Sequence, residues 1–388
     1  MLKITIDATP VQPNASGVGL YVTNLIRSLH TLQVKENFQL SIAYQPGLKN
    51  WLRRNICPPE SLNIDSQVRI VPIPVRISDI LLSIPSEGMV SKYFEKYLDE
   101  PDILQGTNYC VYPCRNTLKV MNIYDLTFIK FPNYTNSVVK KYNGRVKKCL
   151  QWTDLVLTIS ESSKKDIVEY LDVDPQRIYV TPLASRYHYG YLSEELAHQM
   201  EASSGYDFSK PYLLFVSTIE PRKNINSLIS AFNLLKQKYK IKHQLVLIGQ
   251  KGWDYEPIFA EIESSAFRSE IHHLDYLSDE MVALFYSKAD AFVYPSHYEG
   301  FGLPVLEAMT LGAPVITSNT SSLPEVAGDA ALFIEPDDPT SLVDAILKVI
   351  GDSQLRSELI QKGKERAKLF SWERTAQETL KAYKSLLT

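Results

Sequence analysis

Twice along this chain, short apolar runs alternate with segments whose apolar residues recur at helical spacing, and few architectures accept that pattern. It predicts parallel sheets with helices on both faces, the doubly wound α/β class. In the first set KITIDA, FQLSIAY, VRIVPIPV, DILQGT, LKVMNIYDL and LVLTIS read as strands. LYVTNLIRSLHTL, SVVKKYNGRVKKCLQW and SKKDIVEYL read as helices, the first entered through the small-residue loop NASGVG. Residues 187–210 are polar, without a deep strand, and read as a linker. A second set then runs from PYLLFVST to ALFIEP. A chain of 388 residues exceeds one ordinary core, which points to two Rossmann-like domains, 1–186 and 187–370. The final helix, 371–388, is expected to pack back on the first domain. Two such domains in tandem predict a central cleft faced by strand C-termini and helix N-termini.

Other classes are excluded by what the chain lacks. No window approaches the roughly 18 consecutive apolar residues that span a bilayer. Asp7 breaks the run that a signal peptide needs, so a cytoplasmic location is expected. Cys57, Cys110, Cys114 and Cys149 are too scattered for a disulfide scaffold, and the Cys110/Cys114 spacing does not suit a CxxC metal knuckle. A net charge of −3 gives no basic excess for nucleic acid.

The chemistry gathers at residues 299–307, EGFGLPVLE, where a buried strand AFVYPS turns into a helix. Pro304 suits a first helical turn, and Gly300 and Gly302 let backbone turn tightly and approach a ligand. Free N–H groups at such a helix start, with the positive end of the dipole, suit a pyrophosphate. Glu307 lies about one turn in, within reach of a vicinal ribose diol, and Glu299 precedes the turn, within reach of sugar hydroxyls. Each glutamate taken alone reads equally as solvated surface. Glu307 is flanked by Leu306 and Ala308 in a nearly all-apolar helix, however, and a carboxylate there needs a partner. In FVSTIEPRKNINSLISAF, Arg222 and Lys223 precede another helix start, with Asn224 as its expected cap. Side by side, the two cations can neutralise a diphosphate leaving group.

EGFGLPVLEAM and EPRKN together resemble the family-4 glycosyltransferases, retaining enzymes of the two-domain GT-B fold. LVLIGQKGW, SGVGLYV, IYDLTF, TISESSKKDI and SSLPEVAGDAALFIEP extend the resemblance over nearly the whole chain. The SGVG-Y opening and EPRKN are most similar to bacterial mannosyltransferases of polysaccharide assembly. The resemblance implies an N-terminal acceptor domain, a C-terminal nucleotide-sugar donor domain and roles for named residues. Arg222 and Lys223 take the diphosphate, Glu307 the ribose and Glu299 the transferred sugar. The backbone of Phe301, Gly302 and Leu303 takes sugar and phosphate, and Gly17 and Gly19 let the N-terminal loop close on the phosphates. Gly249 belongs to the donor loop, where the contacts that choose the base also lie. Asp125 corresponds to the aspartate of a His-Asp pair near the reacting carbon.

Tyr124 stands where relatives carry that pair's histidine, and it cannot carry a positive charge near neutral pH. Ser217 stands where relatives often have glycine; its hydroxyl either touches phosphate or narrows the site. LDVDP contains an Asp-x-Asp, Asp172 and Asp174, that reads as a turn rather than a metal site, and neither metal nor another cofactor is expected. Lys140, Lys141, Arg145, Lys147 and Lys148 form a basic helix surface, either simply solvated or resting on an anionic membrane where lipid-linked acceptors are found. The expected reaction moves a hexose, mannose from GDP-mannose being favoured, to a glycan or lipid-linked hydroxyl with retention. The alternatives are a UDP-sugar donor, a nucleotide-sugar epimerase and a non-catalytic donor-binding protein.

Overall fold

The computed structural model describes the whole chain apart from residues 13–16, 64–66, 79–86, 99, 136–138, 140 and 388. Its first seven strands are β1 (Leu2–Asp7), β2 (Phe38–Tyr44), β3 (Gln67–Ile70), β4 (Ile103–Gly106), β5 (Leu118–Asn122), β6 (Leu155–Thr158) and β7 (Ile178–Val180). Among the described residues they form one parallel sheet in the order β3-β2-β1-β4-β5-β6-β7, with Ile4 beside both Leu40 and Ile103. A second parallel sheet is built from β8 (Tyr212–Val216), β9 (Gln244–Ile248), β10 (Ile271–Leu274), β11 (Ala291–Tyr294), β12 (Val315–Ser318) and β13 (Ala331–Ile334). Its order is β10-β9-β8-β11-β12-β13. Helices cover both faces of such sheets, which is why LVL of β9 and AFVY of β11 are unbroken apolar runs rather than alternating ones. In both sheets the order reverses beside the first strand, at β1/β4 and at β8/β11. Connections leave to opposite sides at such a point and open a crevice at the strand C-termini.

The chain forms two compact units. One holds Met1–Lys130, Ser137–Leu183 and Trp372–Thr388; the other holds Phe131–Asn136 and Ala184–Ser371. The C-terminal helix Trp372–Ser385 thus belongs with the first sheet. It buries Thr375, Ala376, Thr379, Leu380, Ala382 and Tyr383, a single stripe at helical spacing, and packs along the helix Gly17–Glu36. Thr375 Oγ1 donates to Pro182 O at 2.6 Å, and Lys384 Nζ to Glu36 Oε2 at 2.7 Å. The Tyr383 hydroxyl donates to Gln105 Oε1, and Gln105 Nε2 donates to Asn122 Oδ1 at 2.6 Å. Both amides are fully buried, so this chain of bonds removes the cost of enclosing them. Tyr383→Phe leaves Gln105 Oε1 without that donor and is expected to cost about 1–3 kcal/mol. A lower urea midpoint at unchanged m-value is the readout; an unchanged midpoint would count against the network.

The polar stretch after residue 187 holds more structure than its composition suggests. Ser193 Oγ accepts from Leu196 N at 3.2 Å and caps a helix, Glu194–Ser203. None of its residues is buried, so it carries no apolar stripe to announce it. The Asp-x-Asp forms a turn: Asp172 ends a helix in the left-handed conformation and Asp174 Oδ1 accepts from Gln176 N at 2.8 Å. Of the basic surface, Lys140 lies outside the described residues, and the helix itself runs Tyr142–Cys149. Arg145 turns inward, donating to Asn108 O at 3.0 Å with its guanidinium 4.4 Å from the Tyr142 ring centroid. No described helix is long and apolar enough to cross a membrane.

Candidate functional site

Two loops leave the second sheet at its reversal point, one after β8 and one after β11, and between them they carry the charged residues singled out above. After β8 the chain runs through Ser217 into a short 3-10 turn, Pro221–Lys223. Asn224 follows at φ +57 and opens the helix Ile225–Tyr239. Contrary to expectation, its side chain does not cap the backbone of that helix. Nδ2 donates instead to Pro336 O at 2.8 Å, and Oδ1 accepts from Ser227 Oγ at 2.6 Å, because the left-handed backbone turns the amide away from the first-turn N–H groups. After β11, residues 295–302 lead into the helix Leu303–Leu311 with Pro304 in its first turn. Gly302 there has φ +111, and a Cβ would lie 2.8 Å from Leu323 Cδ2, so the turn accepts glycine only. Gly249, at the end of β9, has φ +147, and a Cβ there would collide with Ser217 O. Among the described residues, the N–H groups of Phe301, Gly302 and Leu303 have no acceptor.

Glu299 is the hub of the two loops. Its Oε1 accepts from Lys223 Nζ at 2.6 Å, Ser296 Oγ at 2.6 Å and the Tyr294 hydroxyl at 3.0 Å, while Arg222 NH1 stands 3.1 Å from Oε2. Glu299 is only 8% exposed. Burial alone would push its pKa up, but the charges of Arg222 and Lys223 and the bonds from Lys223 and Ser296 outweigh burial and hold it down at about 2. Lys223 is pulled the other way: burial and the charge of Arg222 lower its pKa against the attraction of Glu299. Arg222 also donates to Glu220 Oε1 at 2.7 Å and to Tyr298 O at 2.6 Å. Two cations thus stand against two carboxylates, so the loop pair carries no net charge. An incoming diphosphate must compete with Glu220 and Glu299 for the same donors.

Glu307 has the partner that its apolar helix demanded, and the partner is a side chain. Arg186 Nε donates to Oε1 at 2.7 Å, and NH1 of the same guanidinium reaches Asp279 Oδ1 at 3.0 Å. Glu307 is 3% exposed, and burial raises its pKa against the opposing pull of Arg186. Nothing in the sequence singled out Arg186, which falls just before the polar stretch 187–210, at the end of the first predicted domain, and which the structure places in the second unit. Glu220, Tyr294 and Ser296 were missed as well. Glu220 stands inside the motif EPRKN, beside the two cations, and was the one that could have been found.

In the first unit the remaining candidates are placed separately. Tyr124 is buried and its hydroxyl donates to Thr107 O at 2.5 Å, with the ring edge-on to Tyr21 and Tyr109. Its donor is spent inside the fold rather than offered to a ligand. Asp125 Oδ1 accepts from Thr127 N at 2.9 Å at the head of the helix Thr127–Lys130. Gly17 opens the helix Gly17–Glu36 with nothing within 4 Å of a Cβ, and Gly19 is buried two residues on; residues 14–16 of that loop lie outside the described set. Among the described residues, no group of three or more His, Cys, Asp or Glu is placed to hold a metal ion.

The profile of a family described as Glycosyl transferases group 1 matches residues 199–366, which hold every second-unit site residue except Arg186. Over 286 residues the chain is 35% identical to O-antigen chain mannosyltransferase B of Escherichia coli, spanning 73% of this chain and 74% of that one. Sucrose-phosphate synthase of Thermosynechococcus elongatus superposes with a TM-score of 0.75 at 19% identity, covering 100% of this chain and 99% of its own. HepE of Anabaena, solved in complex with UDP and glucose, superposes with a TM-score of 0.72 at 15% identity over 99% of this chain and 100% of its own. At such identities the likeness concerns the fold, which is GT-B.

Proposed function

From a chain that belongs to the group 1 glycosyl transferases, and is therefore a glycosyltransferase, we propose a specific reaction: transfer of mannose from GDP-mannose to a hydroxyl of a glycan or lipid-linked acceptor, with retention at the anomeric carbon. The carrying observation is the cluster of Arg222, Lys223 and Glu299 beside the unbonded N–H groups of residues 301–303. A helix N-terminus and two cations are what a departing diphosphate needs. As the diphosphate enters, Arg222 and Lys223 turn their donors to it, and the Glu299 oxygens they release accept from hydroxyls of the sugar. The bond between the anomeric carbon and the diphosphate oxygen breaks, and the acceptor oxygen bonds the same face of that carbon. The acceptor proton passes to the departing phosphate oxygen, so no nucleophile from the protein is required. Charge neutralisation by Arg222 and Lys223 makes a metal unnecessary in this reading, and catalysis rests on positioning and electrostatics.

Mannose rests on the named E. coli relative, and guanine on the likeness of the SGVG-Y opening and EPRKN to bacterial mannosyltransferases. No feature of the chain favours the epimerase alternative. A thermal-shift panel of GDP, UDP, ADP and dTDP tests the donor. A ligand that binds only the folded state at about 100 times its Kd stabilises by about 2.7 kcal/mol, and GDP is expected to give the largest shift. A largest shift with UDP redirects the reading to a UDP-sugar, and no shift with any of the four overturns it. Anomeric configuration of the product, read by NMR, checks retention.

A further inference from the structure

Arg186 is a charged side chain with no role in the reaction as written, yet it holds the most deeply buried carboxylate of the second unit's site. Its guanidinium bridges Glu307 at 2.7 Å and Asp279 at 3.0 Å. Only Oε1 of Glu307 is used, and among the described residues Oε2 accepts no hydrogen bond. Beside this pair lie two phenols, Tyr187 and Tyr286, with ring centroids 6.4 Å apart; both hydroxyls are buried, and neither has a hydrogen-bond partner among the described residues. Unused buried donors next to a half-used carboxylate mark a polar recess that water or ligand hydroxyls complete.

We propose that Arg186 is a positioning residue for the nucleoside end of the donor: it grips Glu307 by Oε1 so that Oε2 is left to accept hydrogen bonds from the vicinal hydroxyls of a ribose. The inference rests on the proposed use of a nucleoside diphosphate sugar and assigns the residue that makes one subsite of it work. The guanidinium fixes the rotamer of Glu307 through one oxygen, and its charge keeps the carboxylate in the form that accepts two hydroxyl protons. Asp279 fixes the guanidinium in turn, from the first turn of the helix Asp279–Lys288.

The groups that face Glu307 are few. Arg186 and Tyr187 come from the connecting segment, and Asp279 and Tyr286 from the helix Asp279–Lys288. The helix Ser353–Ala367 packs on the same helix as Glu307 but turns its cations elsewhere, Arg366 to the carbonyls of Glu325 and Val326 and Lys364 over the Tyr189 ring. Glu325, on the helix Leu323–Ala327, is the one charged residue of that element. Arg186 is therefore the cation whose loss Glu307 feels. Burial already raises the carboxyl pKa and Arg186 opposes the rise. Without Arg186 the pKa climbs further, so the accepting form is lost as pH falls.

The experiment compares binding of GDP and 2′,3′-dideoxy-GDP by isothermal titration, from about pH 6 to about pH 9, in wild type, Arg186→Met and Arg186→Lys. Wild type is expected to favour GDP by about tenfold at every pH. Arg186→Met is expected to lose that preference near the acid end and regain part of it at the alkaline end, while Arg186→Lys retains it. A general loss of folding would weaken both ligands equally and would leave the ratio unmoved. A GDP preference in Arg186→Met equal to wild type across the range overturns the inference while leaving the proposed function standing. No binding of either ligand by wild type overturns both.

Discussion

Lys223→Met is expected to lower kcat/KM for sugar transfer by about two to three orders of magnitude, the largest effect of any single replacement in this chain. Lys223 is 5% exposed, and its ammonium sits 2.6 Å from Glu299 Oε1 and 2.9 Å from the Tyr294 hydroxyl. Methionine keeps the length and most of the volume of the side chain, so the packing against the Tyr294 ring, where Nζ lies 5.3 Å from the centroid, is largely preserved. What is removed is a charge in a low-dielectric setting, where a donor aimed at a developing phosphate charge is worth far more than in water. Arg222 stays in place to hold Glu299, which protects the fold of the loop. The loss is expected in kcat more than in nucleotide affinity, since leaving-group charge peaks in the transition state. Steady-state kinetics beside a nucleotide titration separate the two. A variant whose kcat/KM stays within about threefold of wild type would sink the assignment of Lys223 to the leaving group.

Glu299→Gln is expected to act on activity and on stability at once, and pH separates them. With the carboxylate proposed to accept from the sugar hydroxyls replaced by an amide, kcat is expected to fall about a hundredfold. For stability, the folded-state pKa of Glu299 is held at about 2, below its ordinary value of 4.5, by Arg222 and Lys223 acting against burial. A depressed carboxyl pKa contributes stability that is fully present above the unfolded value and is lost as pH falls through the folded one. The contribution is on the order of 3 kcal/mol near neutrality. The stability gap between wild type and Glu299→Gln is therefore expected to be widest above about pH 5 and to close progressively below it. Urea unfolding at a series of pH values measures the gap; a constant gap would show that the Arg222–Glu299–Lys223 contacts do not titrate as the geometry requires.

Both predictions concern residues that the linear chain displays and contacts that it does not. Alternating apolar runs and helical stripes are local patterns, and they sufficed for the two doubly wound sheets, because a strand buried on both faces has no other way to be written. The turn at residues 299–307 was legible for the same reason: glycine, proline and two glutamates at a fixed spacing report a backbone conformation and a helix start within a few residues. The helix Glu194–Ser203 was not legible, since it buries nothing.

Tertiary structure alone decided who meets whom at the site. Lys223 and Glu299 are 76 residues apart and Arg186 and Glu307 are 121 apart. No periodicity reaches that far, and a carboxylate in an apolar helix announces only that a partner exists. The strand order β10-β9-β8-β11 supplies the answer for the first pair, because reversal beside β8 sets the ends of β8 and β11 next to each other although two strands intervene in the chain. The amino-acid sequence by itself therefore determined the class of fold, the helix starts and the charged residue types available for chemistry. Which charge neutralises which, and that Arg186 rather than a ligand answers Glu307 on one side, required the folded chain, since ion pairs follow distance in space and residue spacing carries no record of it.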